Sequence, residues 1–261
     1  MLKKLYNFSN SWTGTVVIVL LIIFFIAQAF VIPSGSMKRT LLIGDHLFVK
    51  KFAYGIPTPT IPWLNIQVVP DFNNNGHLIE GERPKRGDIV VFLYPGDNKT
   101  HFVKRCVGVG GDTIMLKDKI LYILPHEGEK YVKDNFPTSQ QVEIDGKLWV
   151  KNIYRAKYPG VQNNPKVVND GRHPMPLFNI PPTLIKKDHF FMMGDNRDHS
   201  NDSRFWGQVP YRNIIGKPWF IYFSWDKNYE IRWNRMGAFV EELELEKDYI
   251  DTNVSLGSGR S

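Results

Sequence analysis

From Trp12 to Ile32 the chain carries no charged residue over 21 positions. About 20 apolar residues are needed to cross the hydrocarbon core as a helix, so this run is long enough to span a bilayer. A cleaved secretory signal competes with that reading, because Lys3 and Lys4, the apolar stretch and Ala27-Gln28-Ala29 copy its basic, hydrophobic and small-residue parts. Against cleavage, the hydrophobic character continues past Ala29 through Phe30, Val31 and Ile32, and a cut there would leave Ser36 on a frayed new amino terminus. An uncleaved transmembrane anchor over residues 13–32 is therefore expected. Its orientation stays open on charge alone, since Lys3 and Lys4 on one side face Lys38, Arg39, Lys50 and Lys51 on the other.

The rest of the chain, at 43% hydrophobic residues overall, is large enough for one large or two small domains with a real core. The net charge of +7 comes from 33 basic residues interleaved with 26 acidic ones rather than gathered in a block. That pattern favours attraction to anionic lipid over nucleic-acid binding. The single cysteine, Cys106, excludes an intrachain disulfide, and its place in an apolar strand marks it as a small core residue rather than a nucleophile.

After the anchor, residues 45–50, 87–94, 101–107, 113–116, 119–124 and 189–193 read as short β-rich runs. Turns at Gly44-Asp45, Gly87-Asp88, Pro95-Gly96-Asp97, Gly110-Gly111-Asp112, Asp145-Gly146 and Gly194-Asp195 separate them. A convincing helical period is missing after Ile32, apart from a weak one between Met236 and Glu246. The expected fold is mainly β, an antiparallel sheet or barrel-like catalytic fold behind an N-terminal transmembrane helix. Residues 33–123 and 186–240 form its catalytic domain, 124–185 an inserted or cap region, and 241–261 a charged, then Gly- and Ser-rich tail. Tyr54 to Pro84 reads as a long loop in which Ile61, Trp63, Leu64, Ile66 and Phe72 are interleaved with prolines. Trp prefers the interfacial zone, so this loop is expected to touch lipid, with packing on the protein's own sheet as the competing reading.

Three clusters can carry chemistry. Ser34-Gly35-Ser36 offers two hydroxyls beside a flexible glycine, although such a triplet by itself is more commonly a turn. Lys104 sits in the apolar strand Phe102-Val-Lys-Arg-Cys-Val107. Its plainer reading is a solvent-facing strand lysine, but a lysine desolvated by apolar neighbours can act as a general base. Strand parity puts both Lys104 and Arg105 in apolar company, and only lysine deprotonates usefully. The segment 194–207 packs three aspartates, two arginines and two serines into one loop. Pairs among Arg197, Arg204, Asp195, Asp198 and Asp202 would make that loop rigid and self-neutralised. Calcium-loop spacing would need ligands where Arg197 and His199 stand, and no zinc-protease, P-loop or dinucleotide motif is present.

Taken together, the anchor running into Ile32-Pro-Ser-Gly-Ser-Met37, then Thr40-Leu-Leu-Ile-Gly-Asp45, Lys85-Arg-Gly-Asp-Ile-Val-Val-Phe92, Val103-Lys-Arg-Cys-Val-Gly108 with Gly111-Asp112, and the 194–207 loop resemble the type I signal peptidases in order and spacing. The resemblance implies a Ser/Lys dyad on a mostly β fold that removes signal peptides from exported preproteins after small residues, the A-x-A pattern. It also implies a single-pass protein of the bacterial cytoplasmic membrane, with residues 1–12 cytoplasmic and the catalytic domain on the outer face. Preproteins and membrane lipid are then the partners, the secretion translocon a neighbour, and neither nucleic acid, metal nor cofactor is called for. Residue by residue, Ser36 matches the nucleophile and Lys104 the base. Ser34 matches the hydroxyl that joins the Ser36 amide in the oxyanion hole, Ser200 the serine that holds the lysine, and Asp202 with Arg204 the bracing pair. Ile32, Pro33 and Val103 would line shallow pockets for small substrate residues. The chain departs from the pattern at Lys38-Arg39, at Gly110 and at His199, none of which touches the dyad. A Ser/His/Asp hydrolase using His46, His101 or His199 is a competing enzyme reading, and a membrane-tethered binding protein with a degenerate site is the non-enzymatic one.

Overall fold

The computed structural model describes residues 2–21, 27–59 and 68–246. Two helices open it, α1 (Leu2–Ser9) and α2 (Trp12–Leu21). The following strands are β1 (Ala27–Val31), β2 (Asp45–Lys50), β3 (Gly55–Pro57), β4 (His77–Glu80), β5 (Ile89–Leu93), β6 (His101–Val109), β7 (Thr113–Lys117) and β8 (Ile120–Leu124). Helix α3 (Glu129–Asn135), β9 (Gln141–Ile144), β10 (Lys147–Lys151), helix α4 (Ile153–Lys157), β11 (Ile180–Leu184) and β12 (His189–Met193) come next. The last elements among the described residues are α5 (Ser203–Trp206), β13 (Val209–Pro210), β14 (Ile214–Ser224) and α6 (Val240–Leu243).

Seven strands form one antiparallel sheet in the order β1-β2-β14-β5-β6-β12-β13, and five form a second in the order β11-β7-β8-β10-β9. The fold is thus mainly β. The first sheet is open, with β1 and β13 at its edges, and bulges between Pro218 and Phe223 bend it. Both of its faces are covered, which explains the unbroken apolar run of β5. Ile89 and Val91 enter one core with Leu47, Val49, Met37 and Ile221, while Val90 and Phe92 enter another with Cys106, Phe190 and Met192. Strand β12 does the same, with Phe190 and Met192 on one side and Phe191 and Met193 against the second sheet.

The second sheet begins at Thr113, so it takes in β7 and β8 as well as most of the region 124–185 that the sequence sets apart. Its two tight hairpins have left-handed turn residues, Asp118 and Lys119 in one, Asp145 and Gly146 in the other. Positive φ at both central positions matches the twist of the flanking strands.

The expected anchor over 13–32 divides differently. Helix α2 covers its first part, residues 22–26 lie outside the described residues, and 27–31 is a strand. Among the described residues no helix is long and apolar enough to cross a membrane. The physical reason is that Ala27 to Val31 finds a full backbone partner along β2, in register from Ala27 opposite Lys50 to Val31 opposite His46. A short apolar run reads equally as helix or strand until such a partner is known.

Of the aromatic loop, Ile61, Trp63, Leu64 and Ile66 lie outside the described residues, and Phe72 is 73% exposed. The loop's ends pair as the small β3–β4 hairpin, which is tied to the body by the Tyr211 hydroxyl donating to the Tyr54 carbonyl.

Candidate active site

Residues following β1 turn sharply into the core. The Ile32 amide donates to Asp45 O and the Gly44 amide to Ile32 O, which fixes the exit of the strand. Pro33 and Ser34 remain exposed, and residues 35–37 form one 3-10 turn in which Met37 is wholly buried. Burying Met37 drags Ser36 inside, to 6% exposure. The loop after β12 clamps this turn from outside: the Asn196 amide donates to Ser36 O at 3.0 Å and Asn196 Nδ2 to Gly35 O at 3.0 Å. Close approach at that contact needs Gly194, since a Cβ there would lie 2.6 Å from Ser36 O.

Strand β6 brings Lys104 to the same place. Its Nζ donates to Ser36 Oγ at 2.7 Å and to Val103 O at 3.0 Å, and it stands 5.1 Å from the centre of the Phe102 ring. Lys104 is 4% exposed, not solvent-facing. Burial pushes its ammonium down to about 8, with Asp202 and Asp195 opposing from a distance. The charged form is thus poorly held, and the amine can accept a proton near neutral pH.

The neighbouring cation meets the opposite fate. Arg105 is completely buried, and its Nε and Nη2 both donate to Asp195 at 2.8 Å. Its Nη1 donates to Gly87 O and to Glu244, and the guanidinium lies 3.8 Å from the Tyr158 ring centre. Burial alone would raise the Asp195 carboxyl, but Arg105 and the Thr40 hydroxyl hold it below the ordinary carboxylate range. One strand therefore delivers an unpaired lysine and a fully paired arginine in succession.

Asp202 and Arg204 form a bidentate pair at 2.8 and 2.9 Å, and Asp202 also accepts the Gly194 amide at 3.0 Å. The pair thus holds the turn that carries the Asn196 clamp. Ser34 Oγ lies 3.4 Å from Ser36 Oγ. No histidine is among the hydrogen-bond partners of Ser36 in the described residues.

Two expectations change. Ser200 is buried, but its Oγ has no hydrogen-bond partner, and the two bonds of Lys104 Nζ run elsewhere. The lysine is held by the strand carbonyl of Val103 instead, because its stem folds back along β6. Among the expected pocket residues, Ile32 is 4% exposed and belongs to the core cluster on which Val103 packs, leaving Pro33 exposed. The reason is that Ile32 is pinned between Asp45 and Gly44 and faces inward.

Sequence reasoning missed the Asn196 clamp and the use of Glu244 from the tail as an Arg105 partner. An arginine in an apolar strand signals that a carboxylate must be near, but nothing local says which one. A separate cluster of Asp112, His126 and Glu127 has the proximity of a metal site. There the Arg86 guanidinium donates to both carboxylates, so the positive charge is supplied by the chain itself.

Comparison with known proteins gives concordant matches. Residues 5–225 match the family described as signal peptidase, peptidase S26. The chain is 46% identical to the signal peptidase I of Helicobacter pylori strain J99, over 93% of this chain and 96% of that one. It is 36% identical to the signal peptidase I of Pseudomonas aeruginosa, over 85% of this chain and 73% of that one. A solved signal peptidase I from Enterococcus faecalis V583 shares 24% identity over 52% of this chain and 97% of that one, with a TM-score of 0.32, too low to bear on the fold.

Proposed function

The chain belongs to the bacterial type I signal peptidases, the family of peptidase S26, and on that premise we propose that it is a membrane-bound endopeptidase that removes signal peptides from exported preproteins after small residues, the A-x-A pattern, with Ser36 and Lys104 as its dyad. The observation that carries this reading is the 2.7 Å contact between Ser36 Oγ and a buried lysine whose ammonium is pushed down to about 8. Ser36 Oγ attacks the scissile carbonyl while neutral Lys104 takes its proton. The lysine then gives that proton to the leaving amine, and a water activated by the same amine releases the acyl group. The Ser36 amide and the Ser34 hydroxyl, rotated away from Ser36 Oγ, donate to the oxyanion, a contribution of about 2.7–4 kcal/mol per donor. The nucleophile, the base and the oxyanion donors in this scheme all come from the chain.

The rate should follow the neutral amine. With Lys104 at about 8, only about a tenth of the molecules are reactive at pH 7, and kcat/KM should rise with pH and level off above about 8. A profile that is flat from pH 6 to 9 would remove Lys104 as the base, as would activity lost to chelator and restored by metal.

Ser200 is proposed as a positioning residue that engages Lys104 once substrate excludes water, since catalytic hydrogen bonds are commonly loose in the free enzyme. Because its hydroxyl has no partner to lose, Ser200→Ala should leave the melting temperature unchanged or slightly raised. It should lower kcat by about tenfold or more and shift the apparent pKa of the profile. An unchanged kcat and pH profile refutes the role.

The proposed location is the outer face of the cytoplasmic membrane, anchored by a single pass with the amino terminus inside, close to the secretion translocon. Since 27–31 is a strand, the crossing segment is moved toward the amino terminus: residues 5–26 contain no charged side chain. Val16, Val17, Ile18 and Val19 of α2 are all exposed, a set of neighbours that covers every side of a helix and suits lipid rather than water.

A further inference from the structure

Just past the serine the chain is pinned at two points. Met37 and Thr40 are both wholly buried. The Thr40 hydroxyl donates to Asp195 at 2.8 Å, its amide to Met37 O at 3.0 Å, and its carbonyl accepts from Arg235 Nη2 at 3.0 Å. Lys38 and Arg39 bridge these fixed points on the surface, and Arg39 does so at φ 81°. That left-handed backbone suits glycine or asparagine and strains a long side chain. An outlier held in place by its neighbours points to a use for the side chain that occupies it.

The charges around Arg39 indicate what that use is. Across 33–45 and 194–204, the two segments that hold the serine, every carboxylate is buried and matched: Asp45 by Arg235, Asp195 by Arg105, Asp198 by Lys119 and Asp202 by Arg204. The exposed titratable side chains of the same segments are all basic, namely Lys38, Arg39 and His199. They share one lip of the site, because the turn at 197–199 packs on the turn at 35–37. Arg39 has no carboxylate partner among the described residues, so its charge is available to a ligand. The other lip, formed by Pro33, Ser34 and the half-buried Val103, is uncharged.

We propose that Arg39, assisted by Lys38, selects preproteins with acidic residues just after the cleavage site by pairing with their carboxylates across the lip of Ser36. This rests on Ser36 and Lys104 being the dyad. On that assignment the small residues before the cut lie at the uncharged lip, and the chain after the cut leaves over the basic one. Exposed pairs are individually weak and screened by salt, so two of them give a preference of about tenfold at low ionic strength, most of it lost at about 0.5 M salt.

The test is direct competition, in detergent without lipid, among three forms of one preprotein that carry two aspartates, two serines or two lysines at the second and third positions after the cut. Wild type should favour the aspartate form over the lysine form by about tenfold in kcat/KM, mainly through KM, with the serine form between them. Arg39→Glu should reverse that order. Arg39→Gly, which relieves the backbone, should remove most of the preference and melt no lower than wild type. Lys147→Glu, the same change of charge in a hairpin of the second sheet, should keep the wild-type preference. Equal rates on the three forms by wild type overturn the proposal, as does a preference that Arg39→Glu leaves unchanged or that Lys147→Glu alters as much. A preference that appears only when anionic lipid is added overturns it as well and assigns the lip to headgroups. Failure of the dyad would show differently, as cleavage of all three forms that persists in Ser36→Ala.

Discussion

Ser36→Ala and Lys104→Ala each reduce cleavage of a purified preprotein by the full chain in detergent by about a thousandfold or more, because neither the hydroxyl nor the amine has a substitute in the site. Lys104→Arg is equally inactive, since guanidinium does not release its proton. The informative companion is Lys104→Met. The folded protein holds the ammonium down to about 8 against an ordinary 10.5, so the unfolded chain binds more protons between those values and stability rises with pH across that window. Below about pH 8 the cost of burying the charge is present in full, on the order of 3 kcal/mol. Methionine removes it without leaving a hole, so at pH 7 Lys104→Met should be inactive yet more stable by about 2 kcal/mol, a gain that vanishes above pH 10. Residual activity within about tenfold of wild type in either alanine variant sinks the dyad, and a Lys104→Met protein that melts lower at pH 7 contradicts the unpaired buried lysine.

Asp195→Ala is expected to cost about 3–5 kcal/mol, the largest stability loss of any single change in this region, because it strands the completely buried Arg105 charge. For a domain of this size that lowers the melting temperature by roughly 10 °C. Glu244 retains one nitrogen of Arg105 but lies at the end of the described chain and is the weaker partner. Glu244→Gln should therefore cost about 1 kcal/mol. Replacing Arg105 and Asp195 together with methionine and leucine should recover most of the loss, whereas a double variant as unstable as Asp195→Ala would place the cost in packing rather than in the stranded charge. The carboxylate is also part of the clamp around Ser36 through Thr40, so Asp195→Ala lowers activity too, but by displacing the serine rather than by touching the proton.

Much of the fold was legible locally. The strand at 45–50 lies where alternation and its preceding Gly-Asp turn put it, and the Asp145-Gly146 hairpin has the left-handed pair that such a dipeptide favours. The run 189–193 is a buried strand ending at Gly194, as its unbroken apolar character implies. The anchor's carboxyl end was not legible, because the five residues 27–31 are as apolar as lipid requires and as strand-forming as β1 requires. Their hydrogen-bond partner lies about twenty residues further along the chain.

The candidate site divides in the same way. Residue types, order and spacing of the Ser36, Lys104 and 194–207 blocks determined the family of this chain, since each block is local in the sequence and can be read without knowing how the blocks pack. The local sequence around Lys104 did not determine whether the lysine was charged or neutral, paired or alone. That was decided by packing: the turn at 35–37 sinks on Met37, β6 carries Lys104 beneath it, and every carboxylate of the loop is taken by another partner before the lysine can reach one. Proton affinity depends on which charges and how much water lie within a few ångströms, and those distances exist only once β5, β6, β12 and the tail at Glu244 have been brought together by tertiary contacts.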